Sequence, residues 1–116
     1  MKKLIVAAVS IAALTPAGLA SARTHSPPTA ISVRGKEFSF HLSKTSIPKP
    51  ATVTFSFHNA GTMAHNFDIG GKKTPLIGPG KTARLTVTFR KKGRFNYRCT
   101  VPGHAEAGMK GVFTVR

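Results

Sequence analysis

Short runs in which apolar and polar residues alternate fill the chain from residue 31 to its end. Residues 52–57 place Val53, Phe55 and Phe57 on one side, and residues 82–89 repeat the pattern. A period of two is typical of half-buried strands. Turn signals rich in Gly, Pro and Asn separate these runs at intervals of about 8 to 12 residues, as in β-sandwiches. The pattern therefore predicts an all-β domain of two sheets with about seven or eight strands, and no helix after the first residues.

The first 22 residues have the character of a targeting segment rather than of a strand. Met1, Lys2 and Lys3 precede an apolar run at 4–14, and residues 20–22 read Ala-Ser-Ala. This order is typical of a secretory signal peptide, and the run is too short to span a bilayer. We therefore predict a signal peptide at 1–22, a flexible lead at 23–30 and a single domain at 31–116. An uncleaved anchor is the alternative. The mature protein is expected in the periplasm or released, with no stable membrane insertion.

The chain is strongly basic, since 18 Lys and Arg residues face three acidic residues and the formal charge is +15. Such an excess suits nucleic acid, an anionic membrane or an acidic protein. Export makes nucleic acid the weakest of these, which leaves an anionic membrane or an acidic protein as partner, and we expect the chain itself to be a monomer. The charges are scattered, and a solvated basic surface without a docking role stays open.

The residues with metal-binding side chains cluster near the end of the chain. Cys99 is the only cysteine; His104 follows five residues later and Met109 five after that. An unpaired thiol in an oxidising compartment is oxidised unless it is buried or bound to metal. Thiolate, imidazole and thioether together favour copper, and a blue-copper site needs one further histidine.

That second histidine must come from elsewhere in the chain. His65 lies in a short predicted strand at 64–69, where it shares one face with Phe67 and Ile69. The other histidines lie in the lead or on polar strand faces, and we read them as non-ligands: His25, His41 and His58.

Both segments resemble those of the cupredoxins, the small blue copper proteins of the plastocyanin, azurin and auracyanin kind. The family has a His-Asn pair on a strand and a later loop with Cys, His and Met. The resemblance implies a Greek-key β-sandwich that holds one copper ion, cycling between Cu(II) and Cu(I). It implies His65, Cys99 and His104 as strong ligands, Met109 as the weak axial ligand, and Asn66 as a brace of the loop.

The loop spacing does not identify one subfamily. The step from Cys99 to His104 resembles azurin and auracyanin, whereas the step from His104 to Met109 matches auracyanin and plastocyanin. The resemblance implies a one-electron carrier that is not an enzyme, and we expect its partners to be redox proteins such as a cytochrome or a copper enzyme, with an acidic surface if the basic charge of the chain steers docking. A copper chaperone or copper-resistance protein is the alternative, and a cupredoxin fold without copper is a third. We also expect His104, on the loop, to present its ring edge at the surface, and only Glu106 among the acidic residues to lie near the site.

Overall fold

The computed structural model describes residues 27–116 and, before them, only residues 2, 3, 8, 10 and 11. Apart from those five, the predicted signal peptide lies outside the described residues, as do residues 23–26 of the predicted lead. Among the described residues, the structure contains no helix with the length and apolar character that crossing a bilayer requires.

Within residues 27–116 the chain forms nine strands and one short helix, in the order β1 (Thr29–Lys36), β2 (Ser39–Leu42), β3 (Ser46–Ile47), β4 (Thr52–Asn59), β5 (Asp68–Ile69), β6 (Lys72–Lys73), β7 (Thr82–Thr88), β8 (Gly93–Arg98), α1 (His104–Ala107) and β9 (Lys110–Val115). One sheet has the order β2-β1-β4-β7 and the other β3-β9-β8-β5-β6. The pairs β1–β4 and β3–β9 are parallel and the other pairs are antiparallel. The two-sheet, all-β architecture is the one predicted, but the described residues form nine strands rather than seven or eight, because β3, β5 and β6 contain only two residues each and are too short to show an alternating pattern.

The core lies between the sheets and is rich in aromatic rings. Val53, Phe55 and Phe57 of β4 are fully buried, as their alternation predicts. Phe55 packs edge-to-face against Phe113 of the opposite sheet, with ring centroids 5.5 Å apart, a preferred geometry for aromatic pairs. The Phe67 ring, also fully buried, lies 5.3 Å from that of Phe55 and directly follows the His-Asn pair.

Three local predictions need correction. β1 begins at Thr29, which pairs with Val53, so residues 29 and 30 belong to the domain rather than to the flexible lead. The predicted strand at 64–69 is reduced to β5, because Asn66 turns its side chain inward to hydrogen-bond with Thr100 and interrupts the alternation. Residues 104–107 form one helical turn, too short to produce a period in the sequence.

Candidate metal centre

His65, Cys99 and His104 converge at one end of the sandwich. The Nδ1 atoms of the two histidines are 3.1 Å apart, and the Cys99 Sγ atom lies 3.8 Å from Nδ1 of His65 and 3.6 Å from Nδ1 of His104. All three residues are buried. The structure thus brings together, from separate segments, the three residues that the sequence singled out as strong ligands.

The spacing of these three atoms fits a metal ion. The point equidistant from them lies about 2.0 Å from each, and imidazole and thiolate bind the similarly sized zinc ion at about 2.0–2.3 Å. Two imidazoles and one thiolate in a triangle are also the donor set of blue-copper sites. The cluster is therefore a candidate copper site on geometry and on donor chemistry.

The loop that carries Cys99 and His104 is closed by its own backbone. The Cys99 amide donates to the Met109 carbonyl at 3.0 Å, and the Met109 amide donates to the His104 carbonyl at 3.1 Å. A third bond, from the His104 amide to Val101, measures 3.0 Å and starts the α1 turn. Met109 is fully buried. These bonds hold the predicted axial ligand beside the other two loop residues, whereas its coordination remains a prediction.

A glycine allows this loop to close. Gly108 has φ +128°, a value that side chains rarely permit, and a Cβ atom there would lie 2.7 Å from the Phe38 carbonyl oxygen. Only glycine accommodates both the conformation and the close approach. The end of α1 can therefore pack directly against the segment before β2.

The predicted brace of the loop is present. The Asn66 side-chain amide donates to Thr100 Oγ1 at 2.7 Å, and the Thr100 backbone amide donates to Asn66 Oδ1 at 2.8 Å. This reciprocal pair joins the residue after His65 to the residue after Cys99. It therefore sets the distance between the two segments that supply the donors.

Glu37 is a site residue that sequence analysis missed. Its Oε1 atom lies 2.8 Å from His65 Nε2, and its carboxylate accepts hydrogen bonds from the amides of Thr62 at 2.9 Å and Met63 at 2.7 Å. Burial of the carboxyl disfavours its charge, but backbone hydrogen bonds and the His65 hydrogen bond outweigh burial and lower the pKa of Glu37 from 4.5 to about 2. The expectation that only Glu106 lies near the site is wrong.

The sequence contains a weak indication that Glu37 is a functional residue and none that it contacts His65. It is one of three acidic residues in a chain of charge +15, yet its place in an alternating run favours a solvated position. His65 is 28 residues away, and only the packing of the segment before β2 against the turn at 59–63 brings them together.

A buried asparagine supports the same side of the site. The Asn59 side-chain amide donates to the carbonyls of Met63 and Ile77, both at 2.8 Å, and its Oδ1 accepts from the Gly61 amide at 2.9 Å. Ile77 also exchanges two backbone hydrogen bonds with His65, at 2.9 and 3.2 Å. Asn59 therefore holds both chain segments that flank the histidine.

The two histidines differ in how they are covered. His65 has no exposed surface, and His104 is 5% exposed, so the expectation of a surface ring edge holds only to this small extent. The Phe38 ring packs edge-on against His104 with centroids 5.1 Å apart and is itself 40% exposed. Phe38 is thus a partly exposed ring in contact with His104.

The chain is similar to known proteins in sequence and in fold. The family model described as a cupredoxin-like domain matches residues 4–115. Among solved structures, reduced auracyanin from Roseiflexus castenholzii superposes with a TM-score of 0.66 at 27% identity, covering 76% of this chain and 97% of that one. Auracyanin A of Chloroflexus aurantiacus, a "blue" copper protein, gives 0.62 at 26% identity, covering 77% and 99%. These likenesses confirm the predicted fold class.

Curated relatives share the name copper-resistant cuproprotein CopI. The protein of Pseudomonas aeruginosa is 51% identical over 35% of this chain and 23% of its own length. That of Vibrio cholerae is 31% identical over 49% and 46%, and that of Rubrivivax gelatinosus 26% over 66% and 59%. The chain therefore spans less than two thirds of the length of each of these relatives.

Proposed function

The chain belongs to the cupredoxin-like domain family, and from this premise we propose that it binds one copper ion and carries one electron at a time. The observation that carries the proposal is the buried triangle of two imidazole nitrogens and one sulfur with sides of 3.1, 3.6 and 3.8 Å. Such a donor set suits both Cu(II) and Cu(I) and supports electron transfer.

Each residue has a distinct part in the proposal. Cys99 binds as the thiolate and supplies the strong sulfur bond, while His65 and His104 bind as neutral imidazoles through Nδ1. Met109 supplies a long, weak axial bond that tunes the potential. With four protein donors no position remains for a substrate, so we propose a carrier and not an enzyme.

The enclosure of the site supports one-electron exchange. Phe67 and Met109 are fully buried, and the loop is closed by its own backbone hydrogen bonds and joined to Asn66 by those of Thr100. A dry, braced site changes little when the charge on the metal changes, since water and loose ligands are excluded. Electrons would leave through His104, by way of the Phe38 ring.

A visible spectrum tests the copper site. The mature protein loaded with Cu(II) should bind one copper per chain and turn an intense blue to green, because thiolate-to-copper charge transfer absorbs strongly in the visible range. Colourless, weakly held Cu(II) would contradict the proposal.

Copper resistance is the second candidate, because the sequence relatives carry that name. Both roles use the same site, but they require different processes to be fast. A carrier should exchange electrons rapidly and keep its metal, whereas a delivery protein should pass Cu(I) quickly to a chelating acceptor. Stopped-flow reduction, compared with the rate of copper release to a Cu(I) chelator, separates the two. Faster copper release than electron exchange would favour resistance.

We further propose an acidic redox protein as partner. Arg98 and Lys110 pair across β8 and β9, directly before Cys99 and directly after Met109, and both are exposed. Lys73 extends this row beyond Asp68, whose carboxylate lies 3.8 Å from Arg98. Surface charges are screened over about 8–10 Å at ordinary salt, so electron-transfer rates with an acidic partner should fall several-fold as salt rises. A rate independent of salt would leave the charge as a solubility feature.

Export completes the proposal. A signal peptide at 1–22 would deliver the domain to the periplasm or outside the cell. The mass of the protein purified from that compartment should correspond to a chain that starts near Arg23; retention of residues 1–22 would favour the uncleaved anchor.

A further inference from the structure

We propose that Glu37 is a positioning residue of the copper site: its carboxylate holds His65 as the Nε2–H tautomer, leaves Nδ1 for the metal, and favours Cu(II) over Cu(I). The inference rests on the proposed copper-binding function. Glu37 lies outside the His, Cys and Met pattern of the two ligand segments, and its role is in copper affinity and reduction potential.

The tautomer follows from what faces each nitrogen of the ring. Nε2 of His65 lies 2.8 Å from a Glu37 oxygen, which can only accept, so Nε2 must donate. The neutral ring then has its lone pair on Nδ1, which faces His104 Nδ1 at 3.1 Å and Cys99 Sγ at 3.8 Å. The lone pair is thus directed at the point where the three donors converge, before any metal binds.

The carboxylate is itself held in place. The Thr62 amide donates to its two oxygens at 2.9 and 3.2 Å, and the Met63 amide donates to Oε1 at 2.7 Å. A Cβ atom on Gly61 would lie 2.5 Å from Oε1, so the turn approaches as closely as a glycine permits. The Glu37 side chain is 21% exposed. An acceptor fixed from three sides in this way can fix the ring that donates to it.

Charge adds a preference between oxidation states. A carboxylate that accepts a hydrogen bond from a ligating imidazole raises the basicity of the ligand, and a more basic ligand stabilises the more highly charged ion. The other acidic residues have different surroundings: Asp68 lies beside Arg98, and Glu106 is exposed on α1. Glu37 is therefore the acidic residue whose carboxylate contacts a ligand.

The first test needs no variant. Long-range ¹H–¹⁵N spectra of the copper-free and the Cu(I)-loaded chain, both diamagnetic, should show the His65 proton on Nε2, shifted downfield and slow to exchange with water. A copper-free His65 that carries its proton on Nδ1, or an Nε2 proton that exchanges freely in the Cu(I) form, would overturn the proposal.

The second test compares Glu37→Gln with Glu106→Gln, which removes an equal charge from the exposed helix. Glu37→Gln should lower Cu(II) affinity by about 10- to 100-fold, as other outer ligand contacts do, and change Cu(I) affinity less. Each tenfold difference raises the one-electron potential by about 59 mV. Glu106→Gln should match the wild type. Equal potentials in all three proteins would refute the role of Glu37.

A third variant separates position from charge. Glu37→Asp keeps the charge but withdraws the carboxylate by one methylene, so protection of the His65 Nε2 proton should be lost even where the potential is partly retained. Full protection of the Nε2 proton in Glu37→Asp would contradict positioning, because that variant moves the acceptor away from the ring. If the wild-type protein lacks the thiolate–copper absorption but copper-free His65 is the protected Nε2–H tautomer, the proposed function fails and the positioning role stands.

Discussion

The two histidines of the site are held by different parts of the molecule. His65 is fixed from outside its own segment, by Glu37 at 2.8 Å and by the Ile77 backbone. His104 is fixed from within its loop, by the α1 turn and by backbone bonds to Val101 and Met109. Among the described residues, the aromatic rings from other segments that pack against His104 are those of Phe38 and His65.

This difference divides the site into a scaffold half and a loop half. The scaffold half depends on contacts between residues far apart in sequence, so it should be sensitive to changes at a distance. The loop half depends on local bonds over residues 99–109, so it should respond mainly to changes within the loop. His104 is the more exposed of the two histidines, so we propose that exchange with solvent and with partners takes place at the loop half.

The largest effect is expected at Cys99, the loop residue whose sulfur lies beside both histidines. Cys99→Ser replaces the thiolate with a hydroxyl, a poor ligand for copper, and should abolish the intense visible absorption of the Cu(II) protein. The fold should survive, because the change in volume is small; circular dichroism checks this. Retention of the absorption in Cys99→Ser would mean that another donor makes the site.

The next effect distinguishes the halves directly. His104→Gly and His65→Gly should both lose the visible absorption, but added imidazole should restore it only in His104→Gly, because His104 reaches the surface and His65 does not. The visible absorbance of each Cu(II)-loaded variant, followed during titration with imidazole, measures the recovery of the site. His41→Gly, at an exposed histidine, should retain the absorption throughout, and equal rescue of the two ligand variants would abolish the distinction.

Asn59→Ala should weaken the scaffold half alone. It leaves the carbonyls of Met63 and Ile77 and the Gly61 amide without their partner, and such losses cost about 2–4 kcal/mol of unfolding free energy. Urea unfolding of the copper-free protein measures this. Asn96→Ala, at an exposed position in β8, should change stability by less than about 0.5 kcal/mol; similar losses in both would remove the special role of Asn59.

The smallest effect concerns the loop half. Met109→Leu should retain copper and raise the reduction potential, because a weak donor that stabilises Cu(II) is removed. The expected rise is on the order of 60 mV, a tenfold change in the ratio of affinities. Met63→Leu, at an exposed methionine, should leave the potential unchanged. An unchanged or lower potential in Met109→Leu would contradict the axial role.

The local sequence pattern was sufficient to predict most of the strands and the proximity of the residues in the loop half. The alternation of Val53, Phe55 and Phe57 predicts their burial, because a strand places every second residue on one face. Cys99, His104 and Met109 lie within eleven residues of chain, so their proximity is readable from spacing alone. Where a side chain leaves the regular pattern to hydrogen-bond across the fold, as Asn66 does, the same reasoning predicted a strand over residues 64–69 of which only β5 is present.

By itself, then, the sequence determined the two-sheet β-sandwich and the donor types, since periodicity and residue chemistry are local properties. Only the tertiary structure decided which carboxylate faces the metal centre and how His65 is oriented. Glu37 meets His65 across 28 residues because β1 and β4 lie side by side and their following segments meet at one end. Such a contact depends on the packing of two distant turns, and no local pattern records it.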